Sequence, residues 1–353
     1  MNLAVPGSLR TPWMIVKRLA AVPLVMLALA TMVFIAMRML PGSPATSLAV
    51  GGGAASQSTA EEIAENEARI NEALGLNESL ADQYTTFLHD VATLDLGRSF
   101  YGGNDITKLL GEALPATIEL TIAAMLIAVL IGMVTGVVAA LRKDTWIDTT
   151  TRAIGTVSFS LPWFALGVLS IVIFGVWLRW LPVIGRIPNA LDYHPFTNFV
   201  LLDAILQDRP ELIWPWIKHL ILPATTLALS MAGFITRIVR ASVLEVLSDD
   251  FVRTARMKGL SGGAILRRHV LRNSSLPIVT VLGLQFGSLL GGSVITETVF
   301  SYPGVGNLLI NGIMQRDYPI VQGAALAIAL LFTLVNVVVD LLYLALDPRL
   351  RKA

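Results

Sequence analysis

The chain has 353 residues, of which 54% are hydrophobic and only 14% are charged, and its net charge is +1. Soluble domains carry about 25% charged residues, so this composition excludes an ordinary water-soluble protein and predicts a membrane protein. The sequence has no cysteine, which excludes disulfides and thiolate metal sites.

Six apolar runs are long enough to cross a hydrocarbon core of about 30 Å, which takes ~20 helical residues. The predicted spans are 14–40, 116–141, 153–178, 218–240, 277–300 and 319–346. The first run carries Lys17 and Arg18 near its start and is long for a cleaved signal peptide, so we interpret it as a retained span.

Basic residues fall in the loops of one side of the predicted membrane, in segments 10–18, 142–152, 237–272 and 349–352. By the positive-inside rule this side is cytoplasmic. The pattern predicts an all-α membrane protein with six transmembrane helices and both termini in the cytoplasm. Its predicted parts are the N-terminus with the first span (1–40), an extracytoplasmic cap (41–115), a core of five spans (116–346) and a cytoplasmic tail (347–353).

The predicted cap is acidic and helical. Ser58 and Glu61 form a capping box that opens a helix, and Gly75 ends it. A second short helix is predicted over NESLADQYTTFLHD, with four apolar side chains on one face: Leu80, Tyr84, Phe87 and Leu88. We expect this face to be covered, because a large exposed apolar patch is unfavourable in water.

Groups that could perform chemistry at membrane depth are scarce. The four histidines fall in loops or at the ends of predicted spans. Glu119, Glu297 and Asp340 lie within about two turns of span ends, and we interpret them as interfacial pairs or snorkelling groups rather than a proton relay. Ser288 and Ser293 have no histidine partner at membrane depth, which an intramembrane serine protease would need. The sequence therefore disfavours a membrane enzyme and a secondary transporter.

Small residues recur near helical spacing in the fifth predicted span, at Gly283, Gly287, Gly291 and Gly292. Such residues allow close approach of neighbouring helices. They are equally compatible with a thin helix that borders a translocation path, and the sequence leaves both interpretations open.

The stretch SDDFVRTARMKGLSGG predicts a short helix over 249–258 between the fourth and fifth spans. Ser248 is a helix-starting residue, Asp249 and Asp250 favour the first turn, and Gly259 can end the helix in the left-handed conformation. A helix this short is marginal alone. It either docks on a partner that supplies energy or lies on anionic lipid as a basic amphipathic helix.

The segment DDFVRTARMKGLSGGAILRRHVLRNSSLPIVT resembles the cytoplasmic loop of ATP-binding-cassette importer permeases, which forms the coupling helix received by the ATPase subunit. That family has an E-A-A triplet, three spacers and a glycine. Here the triplet is Arg253, Thr254 and Ala255, followed by Gly259. The family's downstream I-x-L-P is also unmatched, since Pro277 comes late. These departures are typical of the peptide and nickel branch.

Two further segments resemble the same branch: LGLNESLADQYTTFLHDVATLDLGRSF and ETVFSYPGVGNLLINGIMQRDYPIVQG. In the second, Pro303 and Gly304 end the fifth predicted span, and Asp317 precedes the start of the sixth. The resemblance covers nearly the whole chain, and the segment 51–72 resembles an insertion.

The resemblance implies a permease subunit of an importer for di- or oligopeptides in a bacterial inner (plasma) membrane, with nickel chelates or glutathione as alternative substrates. The implied partners are a second homologous permease (a heterodimer), two ATPase subunits, an extracytoplasmic peptide-binding protein and membrane lipid, and no nucleic acid. The chain itself is expected to be no enzyme and to bind no cofactor, because it lacks a G-x-x-x-x-G-K-[ST] phosphate loop. ATP and Mg²⁺ would be used by the partner subunits.

Three groups of residues are assigned to these roles. The ATPase-coupling residues are Asp250, Phe251, Arg253, Thr254, Ala255, Lys258 and Gly259. The pore-lining candidates are Gln285, Ser288 and Gly292. The candidates for docking the binding protein are Tyr84, Phe87, Arg316 and Asp317.

Overall fold

The computed structural model describes residues 10–39, 65, 68, 71, 72, 77–188 and 190–346. This part of the chain is helical, and its β-structure is limited to an isolated bridge between Arg98 and Asp105. The prediction of an all-α fold is therefore confirmed. The tail 347–353, the predicted helix 58–75 and the segment 51–72 lie wholly or mostly outside the described residues.

The helices of the described residues are α1 (Arg10–Met39), α2 (Leu80–Thr93), α3 (Ile106–Leu141), α4 (Trp146–Ser160), α5 (Trp163–Ser170), α6 (Val200–Leu206), α7 (Ile213–Leu247), α8 (Asp250–Met257), α9 (Gly262–Ile265), α10 (Leu271–Val299), α11 (Val305–Gln315) and α12 (Tyr318–Leu346). α5 continues as a π-helical segment to Trp177, and another π-helical segment joins α9 to α10. The second predicted cap helix is confirmed as α2, which Ser79 caps by accepting a hydrogen bond from the Asp82 N–H at 3.2 Å.

Several spans are longer than the hydropathy pattern predicts. α3 begins at Ile106 rather than at 116, because the side chain of Asp105 accepts a hydrogen bond from the Lys108 N–H at 3.1 Å and starts the helix there. The helix has 36 residues, about 54 Å at 1.5 Å per residue, and so extends well beyond a hydrocarbon core of about 30 Å. Hydropathy marks only the part of a helix that lies in lipid.

The third predicted span, 153–178, is not one straight helix. α4 and α5 meet at an angle of 102°. Leu161 and Pro162 are both extended, with ψ of 133° and 141°. The residue before a proline avoids the helical region, and proline itself cannot donate the next backbone hydrogen bond. The prediction of an uninterrupted third span is therefore wrong at the Leu-Pro pair.

α3, α4 and α7 pack closely through small residues. Gly132 and Gly136 of α3 face Ile235 and Val239 of α7, at positions where an added Cβ would come within 2.5–2.8 Å of those side chains. Gly233 of α7 lies against the backbone of α4 in the same way. The glycines of α3 thus make room for side chains of α7, and Gly233 lets the backbones of α7 and α4 approach directly.

Five helices of the described residues are long and apolar enough to cross a membrane, and the bent α4–α5 pair makes a sixth if it crosses. With six crossings, the loop after α1 and the loop after α8 face opposite sides. With five, they face the same side. Whether the two ends of the chain lie on the same side of the membrane thus depends on whether the bent α4–α5 pair crosses it.

Single cysteines test this topology cleanly, because the natural chain has none. We expect a cysteine at Ser56, which is outside the described residues, to react with a membrane-impermeant maleimide in intact cells. A cysteine at Ser261, an exposed position, should react only after permeabilisation. Labelling of both positions from the same side would mean that the bent pair does not cross.

Candidate functional site

The predicted coupling helix is α8. Asp249 occupies its N-cap position with extended backbone, and the Asp249 carbonyl accepts a hydrogen bond from the Val252 N–H at 3.0 Å. Ser248 instead ends α7, where its hydroxyl donates to the Glu245 carbonyl at 2.6 Å, so the predicted start at Ser248 is wrong by one residue. Gly259 has φ +77°, as predicted, and an added Cβ would meet nothing within 4 Å. Glycine is therefore favoured there by backbone conformation alone.

α8 is held by its own chain along one face. Val252 and Ala255 are buried in the main hydrophobic core together with Ile265 of α9. Phe251 is 39% exposed, and its ring lies 6.5 Å from the ring of His269. The other predicted coupling residues are exposed: Asp250, Arg253, Thr254, Lys258 and Gly259. Ala255 thus anchors the helix, and Phe251 and Met257 are the apolar side chains of α8 that remain exposed to a partner.

The helix that leads into α8 is tied to the bent span by a buried ion pair. Asp148 of α4 is fully buried and accepts two hydrogen bonds from Arg240 of α7, at 2.6 and 2.7 Å. Arg152 lies at 3.6 Å and the Asp144 N–H donates at 3.1 Å. This pair is not apparent in the sequence, where Arg240 is one of many basic residues on the predicted cytoplasmic side.

The pore-lining candidates lie on different sides of α10. Ser288 is exposed, in line with Leu284, Gly291 and Ile295, on a face that no other helix of the described chain covers. Gln285 is half-buried. Gly292 is buried, and an added Cβ there would collide with the ring of Trp163.

The two interpretations of the glycine run therefore apply to different residues. Gly287 and Gly292 permit close packing, against Phe332 and Trp163, whereas Gly291 has open space beside it. The open face that contains Gly291 and Ser288 is the one on which a pore or a partner subunit could lie.

Two of the three span-end carboxylates are structural. Glu119 pairs with Arg186 at 2.5 Å and accepts a hydrogen bond from the indole of Trp216 at 3.0 Å, which confirms the predicted pairing. Glu297 is fully buried, so the snorkelling interpretation is wrong for this residue. The side chain of Asp340 is not among those that the structure describes.

Glu297 joins three elements at the end of α10. It accepts hydrogen bonds from the Thr117 hydroxyl of α3 at 2.8 Å, and from the Gly306 and Asn307 N–H groups of α11 at 2.7 and 3.1 Å. Gly304 lies directly against the carboxylate. A carboxylate at a helix N-terminus satisfies free N–H groups and meets the positive end of the helix dipole. Glu297 thus fixes the start of α11.

The docking candidates differ in exposure. Asp317 is fully buried, where it accepts a hydrogen bond from the Ser99 hydroxyl at 2.5 Å, so it can shape the surface without forming it. Arg316 is exposed at the end of α11. The rings of Tyr84 and Phe87 lie 5.3 and 5.6 Å from that of Phe34 on α1. The part of the apolar face of α2 that contains Tyr84 and Phe87 is therefore covered by the first span, whereas Leu80 remains exposed.

Loss of these ring contacts should release α2 from α1. In the double variant Tyr84→Ala/Phe87→Ala we expect cleavage of the outer segment by an added protease to rise about tenfold, because each aromatic pair contributes about 0.5–1.5 kcal/mol beyond its buried area. Membrane insertion should be unchanged. Leu80→Ala, at a 66% exposed position of the same helix, is the matched control. Equal cleavage of both variants would show that α2 is held elsewhere.

Together, the bundle of long apolar helices and the bent span define a multi-spanning membrane protein. Residues 132–352 match the family described as "binding-protein-dependent transport system inner membrane component", and the chain belongs to that family. It is therefore a multi-pass membrane component of a transporter complex.

Named relatives align along almost the entire chain. A dipeptide transport system permease from Alkalihalophilus pseudofirmus is 38% identical over 335 residues, which cover 95% of this chain and 98% of the relative. A probable D,D-dipeptide transport system permease from Escherichia coli is 40% identical over 96% of this chain and 98% of its own length. A di/tripeptide transport system permease from Pseudomonas aeruginosa is 41% identical over 79% of this chain and 83% of its own length.

Solved structures support the fold. An inward-facing structure of the MetNI methionine ABC transporter superposes with a TM-score of 0.52 at 18% identity, covering 68% of this chain and 96% of the matched chain. At this identity the likeness concerns the fold alone.

Proposed function

We propose that this chain is one permease subunit of an ATP-driven importer. With a second homologous permease it forms the path for di- or oligopeptides that an extracytoplasmic binding protein delivers. The observation that carries the proposal is α8, which is anchored by Val252 and Ala255 while Phe251 and its polar neighbours remain exposed. The names of the relatives, which refer to dipeptides and di/tripeptides, support the substrate class.

Each implied partner corresponds to an uncovered surface. Two ATPase subunits, which use ATP and Mg²⁺, would receive the exposed side of α8 in this chain and in its partner permease. The second permease would face the open side of α10 around Ser288 and Gly291. The binding protein would meet the outer surface around Arg316, whose neighbouring helix α11 is fixed at its start by Glu297. Buried Asp317 holds Ser99 beside the start of α12.

A secondary transporter is the competing function. It would need ionisable groups free to exchange protons or ions during the cycle. Glu297 and Glu119 are both buried, and each is engaged by several hydrogen bonds that fix neighbouring helices. These contacts favour a permease that takes its energy from partner subunits.

Reconstitution tests the proposal directly. The chain would be co-purified with its second permease and ATPase subunits and placed in liposomes with the binding protein and labelled trialanine. We expect uptake that requires ATP on the ATPase side and is unaffected when ion gradients are collapsed. Uptake driven by an ion gradient without ATP would establish the secondary transporter. Uptake of a nickel chelate or glutathione in place of trialanine would change the substrate class.

A further inference from the structure

Arg237 lies in α7 near the end of the predicted span 218–240, and it is the first of the basic residues that the charge pattern assigns to the predicted cytoplasmic side. Its neighbour Thr236 is hydrogen-bonded to Thr135 of α3 at 2.7 Å. From Thr135 to the end of α3 at Leu141 is about 9 Å of helix, and the charged turn Arg142–Asp144 follows. Arg237 therefore lies about 9 Å from this charged turn and within the predicted span 218–240.

The side chain of Arg237 points away from that boundary. Helical side chains tilt toward the N-terminus of their helix, which for α7 is the opposite end of the span. The guanidinium carbon accordingly lies 5.6 Å from the ring centroid of Phe159, near the end of α4 at the bend. A snorkelling arginine would extend toward the nearer membrane surface instead.

No carboxylate among the described residues lies within ion-pair distance of Arg237, although Arg240 on the next turn is paired with Asp148. The Arg237 side chain is exposed. An arginine directed at lipid from within a span is costly, and such residues face a partner or a water-filled cavity. This exposed side of α7 therefore faces water or a partner in the assembled transporter.

One aromatic ring lies beside the cation, and a second ring stacks on the first. Phe159 is 53% exposed, and its ring stacks on that of Phe234 with centroids 6.0 Å apart. A guanidinium over an aromatic ring is attracted by the ring's negative face and keeps its remaining N–H groups free for an acceptor. The bend of the third span thus carries a cation with free donors beside an apolar surface.

We propose that Arg237 lines the translocation path and binds a carboxylate of the passing solute, while Phe159 and Phe234 contact its apolar part. This inference rests on the proposed function, since every peptide with a free C-terminus carries a carboxylate. Arginine suits the role because its planar fork binds carboxylate through two parallel hydrogen bonds.

Equilibrium binding to the complete transporter in nanodiscs, without the binding protein, tests the inference. The probes are trialanine, trialanine amide, and an amidated tripeptide with one aspartate, which separates a terminal from a side-chain carboxylate. We expect the wild-type complex to bind trialanine about tenfold more tightly than its amide, as charge-assisted hydrogen bonds allow. Arg237→Gln should remove this preference, and Arg237→Lys should retain part of it. Arg152→Gln, which changes another exposed arginine, is the control.

Equal binding of trialanine and its amide by the wild type, or an unchanged preference in Arg237→Gln, would overturn the inference. The inference would also be overturned if Arg237→Gln inserted poorly into the membrane but still preferred trialanine to its amide. Arg237 would then serve only in contact with lipid. Failure of the proposed function has a different signature: ATP-dependent uptake would be absent even if the purified complex still preferred the carboxylate.

Discussion

Replacing Asp148 with alanine is expected to cause the largest loss of stability among the single changes considered. Asp148 is fully buried and holds Arg240 through two hydrogen bonds, and Arg240 is only 18% exposed. Removing one partner of a buried ion pair leaves an uncompensated charge and costs about 3–5 kcal/mol. The reconstituted complex should show a lower Tm, and its α4 should detach from α7.

Arg152→Ala is the matched comparison, because Arg152 reaches the same carboxylate at 3.6 Å from a 55% exposed side chain. Exposed partners of this kind contribute about 0–1 kcal/mol. The double variant Asp148→Ala/Arg240→Ala removes both charges and should recover part of the stability lost in Asp148→Ala. Equal melting temperatures for Asp148→Ala and Arg152→Ala would contradict the role of the buried pair.

Replacing Glu297 with leucine is expected to release the start of α11. The change leaves the Gly306 and Asn307 N–H groups and the Thr117 hydroxyl without their acceptor, and each buried unsatisfied group costs about 1–3 kcal/mol. Amide hydrogen exchange in residues 304–309 should accelerate by at least tenfold, while the middle of α10 remains protected.

Thr298→Val serves as the control, because the exposed Thr298 hydroxyl bonds only within its own helix, to the Val294 carbonyl. Glu297→Gln keeps one acceptor oxygen, so its rate of amide exchange at the start of α11 should lie between the rates in Glu297→Leu and Thr298→Val. If exchange at the start of α11 is unchanged in Glu297→Leu, another contact positions this helix.

Local signals in the sequence predicted much of this fold. Apolar length located the spans, and Gly259 correctly marked the left-handed end of α8. The sequence also contains a signal for the bend of the third span, because Leu161 precedes Pro162 within the apolar run. Hydropathy alone does not show this bend, since both residues are apolar. The extra length of α3 follows from Asp105, a capping signal that lies outside the hydrophobic stretch.

The remaining features depend on contacts between distant parts of the chain. Asp148 and Arg240 are 92 positions apart, and Thr117 and Glu297 are 180 apart. A single sequence shows which residues carry charges and hydroxyls, but it does not show which of them pair. Glu297 therefore could not be distinguished from an interfacial carboxylate. Burial similarly distinguishes Phe251 from Ala255, which were both predicted as ATPase-coupling residues and are four positions apart in α8.

The distinction between those two residues refines the choice of variant. Ala255 is 6% exposed, so an aspartate there would disturb the packing of α8 on its own chain. Phe251 is 39% exposed, so an aspartate there changes mainly the surface offered to a partner. Ser261→Asp is the matched control, because it adds the same charge to the same loop and keeps an oxygen that can cap α9.

The most direct measurement is the ATP hydrolysis rate of the reconstituted complex, with and without peptide-loaded binding protein. We predict that the wild type and Ser261→Asp are stimulated, whereas Phe251→Asp inserts and assembles normally but loses the stimulation. An interfacial aromatic residue of this kind often contributes 2 kcal/mol or more, about a thirtyfold effect on docking. Full stimulation in Phe251→Asp would contradict the proposal and would mean that α8 lies on lipid instead of docking on an ATPase subunit.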